Sequence, residues 1–148
     1  MNRILAFLFF LLFLAGIAFM TLKTMQPIEA NGAELAFLGV DWRPVTVDGE
    51  AVPGNSTLLL RFERDGRLNG HGGCNGFFGT YKLGASGIEI GPLGATKMSC
   101  PEPLMSLERR FFDVLERTRR LLVEGDRLVL RDAEDGELAV FVVSKASV

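Results

Sequence analysis

The stretch Thr57-Leu58-Leu59-Leu60-Arg61-Phe62-Glu63-Arg64-Asp65-Gly66-Arg67-Leu68-Asn69 decides the fold class. Leu58, Leu60 and Phe62 alternate with Leu59, Arg61 and Glu63, the two-residue period of a strand with one buried face. Asp65-Gly66 then supplies a tight turn, so a second strand is expected to begin at Arg67. Working outward, short β-rich runs recur with glycine punctuation between them. Residues 38–47 contain Trp42 and the alternating Val45 and Val47, and they end in the turn signal Asp48-Gly49. Residues 77–83, 87–93 and 95–99 are three further strand candidates, separated by Gly84, Gly87 and Gly94. A strand every ~8 to 12 residues points to an antiparallel barrel or sandwich rather than a βαβ unit.

One segment breaks this period. Residues 106–120 hold no Gly or Pro, and Leu104, Leu107, Phe111 and Leu115, with Phe112, mark one face at helical spacing. A helix near residues 104–120 is expected, with Ser106 as N-cap and Glu108 in its first turn. Arg117, Arg119 and Arg120 then fall at its C-terminus, where cations suit the helix dipole and a solvated end accounts for them better than an anion site does. Strands at 121–123, 127–132 and 137–144 follow, the last two joined through Asp135-Gly136. No internal repeat, low-complexity tract or heptad is present.

The apolar residues are unevenly spread. Five of the twelve Phe (Phe7, Phe9, Phe10, Phe13 and Phe19) fall within residues 4–22, which contain no charge and no Pro. At ~1.5 Å per residue this run reaches about 28 Å as a helix, close to the ~30 Å hydrocarbon core of a bilayer. With Arg3 ahead of it, the pattern is that of an uncleaved signal anchor or a cleaved secretory signal. The run exceeds a usual cleavable core, and Ile28 with Ala30 makes only an approximate cleavage site, so the anchor is the leading reading. Residues 1–23 are therefore assigned to the anchor or signal, 24–36 to a linker and 37–148 to one folded domain outside the cytoplasmic membrane. The formal net charge is −2 from 16 basic and 18 acidic residues, and it gives no case for nucleic acid.

The densest run of unusual residues is Gly70-His71-Gly72-Gly73-Cys74-Asn75-Gly76-Phe77-Phe78-Gly79-Thr80-Tyr81, followed by Thr96-Lys97-Met98-Ser99-Cys100. So many glycines in so short a run imply a tightly built turn between strands. These two elements resemble the META domain, the HslJ-like heat-shock protein family. The motif positions are Gly70, Gly73, Cys74, Asn75, Gly79, Tyr81, Thr96, Met98 and Cys100, and the order of Trp42, the Leu60-Phe62 strand, the helix and the closing strands is similar too. The resemblance implies a small antiparallel barrel-like domain of lipocalin-type topology with one packed helix. It also implies a cell-envelope location, on the periplasmic side if anchored or free in the periplasm if cleaved, and a link to heat shock or other stress. It supplies no catalytic residue or cofactor.

Candidate chemistry is sparse. Cys74 and Cys100 are the only cysteines, and in an oxidising compartment an even pair suggests a disulfide worth ~3–4 kcal/mol in the loop-entropy model. Two alternatives stand beside it: buried unreactive thiols, and a thiol-imidazole dyad of Cys74 with His71 in a thiol-dependent enzyme. One His and two distant Cys lack the spacing of a zinc site, and the glycine run lacks the Gly-Lys-Ser/Thr ending of a phosphate loop. Asn75 is expected to satisfy backbone groups of its own turn, and Tyr81 to be a half-buried strand residue with a partnered hydroxyl. Asp132, Glu134, Asp135 and Glu137 read as a solvated loop, lacking the spacing of a calcium loop. The expectation is a non-enzymatic envelope module that binds an envelope protein or a small apolar ligand, with the membrane as partner through the N-terminal segment.

Overall fold

The structure, a computed structural model, describes residues 35–144; the anchor or signal at 1–23 and most of the linker lie outside the described residues. The described chain forms a ten-stranded antiparallel sheet and one helix. The strands are β1 (Asp41–Val47), β2 (Glu50–Ala51), β3 (Leu59–Phe62), β4 (Arg67–His71), β5 (Gly76–Gly84), β6 (Gly87–Ile90), β7 (Gly94–Ala95), β8 (Arg120–Glu124), β9 (Arg127–Arg131) and β10 (Glu137–Val143), with helix α1 (Glu102–Arg117) between β7 and β8. The main path runs β6-β5-β4-β3-β1-β10-β9-β8, with β2 paired to β1 and β7 to β5. Along this path strands successive in the chain lie side by side except at the break between β6 and β8, and β10 returns to lie against β1, as in an up-and-down barrel.

The barrel is nearly closed. Its open seam lies between β6 and β8, where α1 interrupts the succession of strands, and the Ile88 N–H donates across it to the Arg119 carbonyl at 2.8 Å. Gly87 (φ +129°) makes this approach possible, because a Cβ there would collide with that same carbonyl oxygen. An open cavity of about 490 Å³ flanks the seam, lined by Phe37, Leu83, Ile88 and Leu121 among others.

The alternation read from 57–64 places Leu60 and Phe62 fully inside, with Arg61 on the outer face. Trp42, Leu68, Tyr81, Leu128, Leu130 and Phe141 join them in one core. Phe37, Phe62 and Tyr81 meet edge to face with ring centroids 5.1 to 6.3 Å apart, the preferred aromatic geometry. The Trp42 indole N–H donates to the Phe37 carbonyl at 2.9 Å, which satisfies the one polar atom of a ring that is 1% exposed. A second aromatic group joins helix to barrel: Phe77 of β5 packs edge on against Phe111 and Phe112 of α1, and Phe111 against Phe141 of β10.

Several boundaries differ from the sequence reading. The helix begins at Glu102, with Pro101 at the cap and Pro103 in the first turn, rather than at Ser106. A proline there gives up only an N–H that has no helical partner. The helix ends at Arg117, so Arg119 and Arg120 lie beyond it; Arg119 still donates to the Glu116 and Thr118 carbonyls, while Arg120 opens β8 and pairs with Asp135. The strand expected over 95–99 shrinks to Gly94–Ala95, because polar groups beyond it bond to Asn75 instead of a ladder. The strand expected over 87–93 stops at Ile90, ahead of Pro92, which has no N–H for a ladder. The strand expected from residue 38 begins at Asp41, and β2 adds a short hairpin through Asp48-Gly49, both at positive φ.

Candidate functional site

The glycine-rich turn between β4 and β5 meets α1 and the 96–100 segment in one buried knot. Cys74 and Cys100 are bridged there, with Cα atoms 6.0 Å apart and a sequence separation of 26. Asn75, 2% exposed, uses the full capacity of its amide: Oδ1 accepts from the Met98 N–H at 2.7 Å and the Thr96 hydroxyl at 2.8 Å, while Nδ2 donates to the Met98 carbonyl at 3.3 Å and to Glu108 at 2.8 Å. Its expected role in its own turn is therefore corrected. The side chain ties two distant segments together.

The turn's own backbone is satisfied by Glu108, a residue the sequence reading had assigned only to the helix dipole. Glu108 Oε2 accepts from the Asn75 N–H at 2.6 Å and the Cys74 N–H at 3.2 Å. With the helix starting at Glu102, Glu108 lies on the inward stripe between Leu104 and Phe111 and is 5% exposed. That placement was the available signal: a carboxylate on an otherwise apolar stripe needs buried donors. The glycines admit it. A Cβ at Gly72 would come within 2.7 Å of Glu108 Oε2, and one at Gly73 within 2.9 Å of the Leu104 side chain.

The remaining motif residues also serve packing. Gly70 faces inward on β4 against the Phe77 ring, and Gly79 leaves room for Leu93. Tyr81 is 7% exposed, more buried than expected, and its hydroxyl donates to the Glu63 carbonyl at 2.7 Å. Burial, with the charges of Asp65 and Glu63 nearby, pushes its phenol above the ordinary value. Met98 is engaged through its backbone while its side chain is exposed. His71 is turned into the loop, where its Nδ1 accepts from the Gly73 N–H at 3.1 Å. Cys74 carries no thiol while bridged, so the two components of the proposed dyad are both committed to other bonds.

A different arrangement occupies the outer face of β3, β4 and β5. Here Arg61, Asn69 and Phe78 stand in register across the three strands, flanked by Asp41 on β1 and Gly94 on β7. The face forms the floor of an open groove of about 910 Å³. Arg61 bonds Asp41 at 2.8 Å and Glu63 at 2.9 Å, and Arg67 bonds Asp65 at 2.6 Å. The Asp65 carboxyl is held below its ordinary value, chiefly by the hydrogen bond from Arg67. Phe78 stands 66% exposed in the middle of these polar groups.

The acidic loop is organised by its own groups. Asp132 accepts from the Glu134 and Gly136 N–H groups, while Asp135 pairs with Arg120 and Arg131.

No curated protein matches the chain. Solved structures similar in fold include an NMR structure of a protein from Burkholderia xenovorans and a crystal structure of a DUF4847 family protein from Bacteroides vulgatus. The first is 24% identical with a TM-score of 0.62, covering 81% of this chain and 91% of that one. The second is 16% identical with a TM-score of 0.56, covering 77% of this chain and 99% of that one. The META domain matches residues 33–145, 113 of the 148 residues, so the chain belongs to the META domain family.

Proposed function

We propose that this protein is a non-enzymatic module of the cell envelope, HslJ-like within its family, exported and held at or near the membrane through its N-terminal segment, where it binds an envelope component and supports tolerance of stress. The observation that carries this reading is the bridged knot. A disulfide between two motif cysteines suits an oxidising compartment, and the motif's polar side chains are spent on one another rather than directed at a substrate. The long apolar run at residues 4–22 supports the route to that compartment. A barrel core filled by Trp42, Phe62, Phe111 and Phe141 favours binding on the outside of the domain over a ligand in its interior.

The test is intact mass of the protein from membrane and soluble envelope fractions, alkylated before and after reduction. A full-length membrane species that alkylates only after reduction is expected. Alkylation at Cys74 without reduction would reopen the alternative, a thiol-dependent enzyme using Cys74 with His71. Recovery of the chain from the cytoplasm alone would contradict export.

A further inference from the structure

We propose that the outer face of β3, β4 and β5 is a binding groove for an oligosaccharide of sparse negative charge, with Phe78 as its stacking platform. This rests on the reading of the protein as a binding module and names that module's site and ligand class. Phe78 is the most exposed large apolar side chain among the described residues, and its ring rests over Gly94, where a Cβ would come within 2.7 Å of it. An exposed ring amid polar groups offers dispersion contact to the C–H face of a pyranose, which presents hydroxyls around an apolar centre.

The surrounding groups fit those hydroxyls. Each hydroxyl both donates and accepts, and the groove interleaves donors with acceptors: Arg61 and Asn69 beside Glu63, and Thr80 one step along β5 from the ring row. Ion pairs already hold Arg61 and Arg67 in place, so little side-chain freedom is lost on binding.

Charge and topology narrow the class. Asp41 and Glu63 both pair with Arg61 and Asp65 pairs with Arg67, so these three carboxylates outnumber the two arginines by one. Arg64 lines the groove and brings this face to net zero, yet it forms no ion pair among the described residues and is the arginine left to meet an anionic substituent. Nucleic acid brings a phosphate with every nucleotide and calls for several such cations. An extended peptide added as a strand needs an open sheet edge, whereas β3, β4 and β5 are each paired on both sides.

The experiment is calorimetric titration of the full chain with three probes: a tetrasaccharide alternating N-acetylglucosamine with glucuronate, neutral chitotetraose, and a ten-nucleotide oligo-dT. Both sugars are expected to bind, the acidic one more tightly, and oligo-dT more weakly than either. Phe78→Ala should weaken both sugars about tenfold, as truncating a central aromatic anchor does, while Phe78→Trp retains binding. Arg64→Gln should weaken the acidic sugar about threefold and leave chitotetraose unchanged. Absence of sugar binding, equal affinity of Phe78→Ala and the parent chain, or tighter binding of oligo-dT would each overturn the proposal. If sugars fail while the chain still captures another envelope component, the groove assignment falls and the binding-module reading stands. If a sugar is bound and cleaved, the groove stands and the non-enzymatic reading falls.

Discussion

Strands β4 and β5 carry two opposite kinds of surface within a few residues of each other. At one end the turn at Gly72-Gly73-Cys74-Asn75 is sealed under α1, and every polar side-chain atom of Asn75 has a partner there. On the outer face of the same strands, Asn69 and Phe78 stand in a row open to solvent. The residues most conspicuous in the chain thus build the structure, and the less conspicuous outward positions are left available for recognition. The difference has a physical basis. A tight turn under a helix restricts residue type severely, through glycine and buried hydrogen-bond requirements, whereas a solvated strand face tolerates most side chains.

That contrast can be broken at either end, and the largest effect is expected at the bridge. Replacing Cys74 and Cys100 by Ser should cost about 3–4 kcal/mol of unfolding free energy, from the loop-entropy estimate, measured by denaturant titration. A loss indistinguishable from zero would mean that the knot holds without its covalent tie. Glu108→Ala comes next. It leaves the Cys74 and Asn75 N–H groups without their buried acceptor, and about 2–4 kcal/mol should be lost. Glu108→Gln should also destabilise, because an amide supplies one carbonyl oxygen where the turn meets two carboxylate oxygens.

Tyr81 gives a smaller effect with a readable sign. It is the only tyrosine, so absorbance of tyrosinate reports it alone. Its folded-state phenol lies above the ordinary 10.0 because burial, then the charges of Asp65 and Glu63, disfavour the anion. A raised folded value means that its contribution is fully present below the unfolded value and is lost as pH rises through the folded one. The titration midpoint in the folded protein should therefore exceed that in denaturant, and stability should fall in that alkaline window; a midpoint at or below the denatured value would place Tyr81 in water. Tyr81→Phe should cost about 1 kcal/mol for the lost bond to the Glu63 carbonyl. Smallest of all, Phe78→Ala should change stability by no more than about 0.5 kcal/mol, as an exposed substitution does.

Much of the fold was legible because the β strands announce themselves locally. Leu58, Leu60 and Phe62 alternate, Asp65-Gly66 turns the chain, and Phe111 and Leu115 repeat at helical spacing. What escaped was set by distant partners. The helix start at Glu102 was hidden because the Pro-free run begins only after Pro103, although prolines at the cap and in the first turn suit a helix start. The short β7 depends on Asn75 drawing the backbone of Met98 away from a ladder. Glu108 was visible as a charge on an apolar stripe, but its partners lie 33 and 34 positions away. The row formed by Arg61, Asn69 and Phe78 follows from strand register, which the alternation of each strand does not specify by itself.

The division between a structural knot and a recognition face is tested most directly by thermal melts of the parent chain, Glu108→Ala and Phe78→Ala, each with and without saturating acidic tetrasaccharide. Ligand that binds only the folded state raises the melting temperature. The account predicts a lowered melt for Glu108→Ala that still rises with sugar, and a parental melt for Phe78→Ala that rises about half as far as the parent's at ligand about 100 times the parent Kd. A Phe78→Ala melt that falls as far as that of Glu108→Ala, or that rises with sugar as the parent's does, would contradict it.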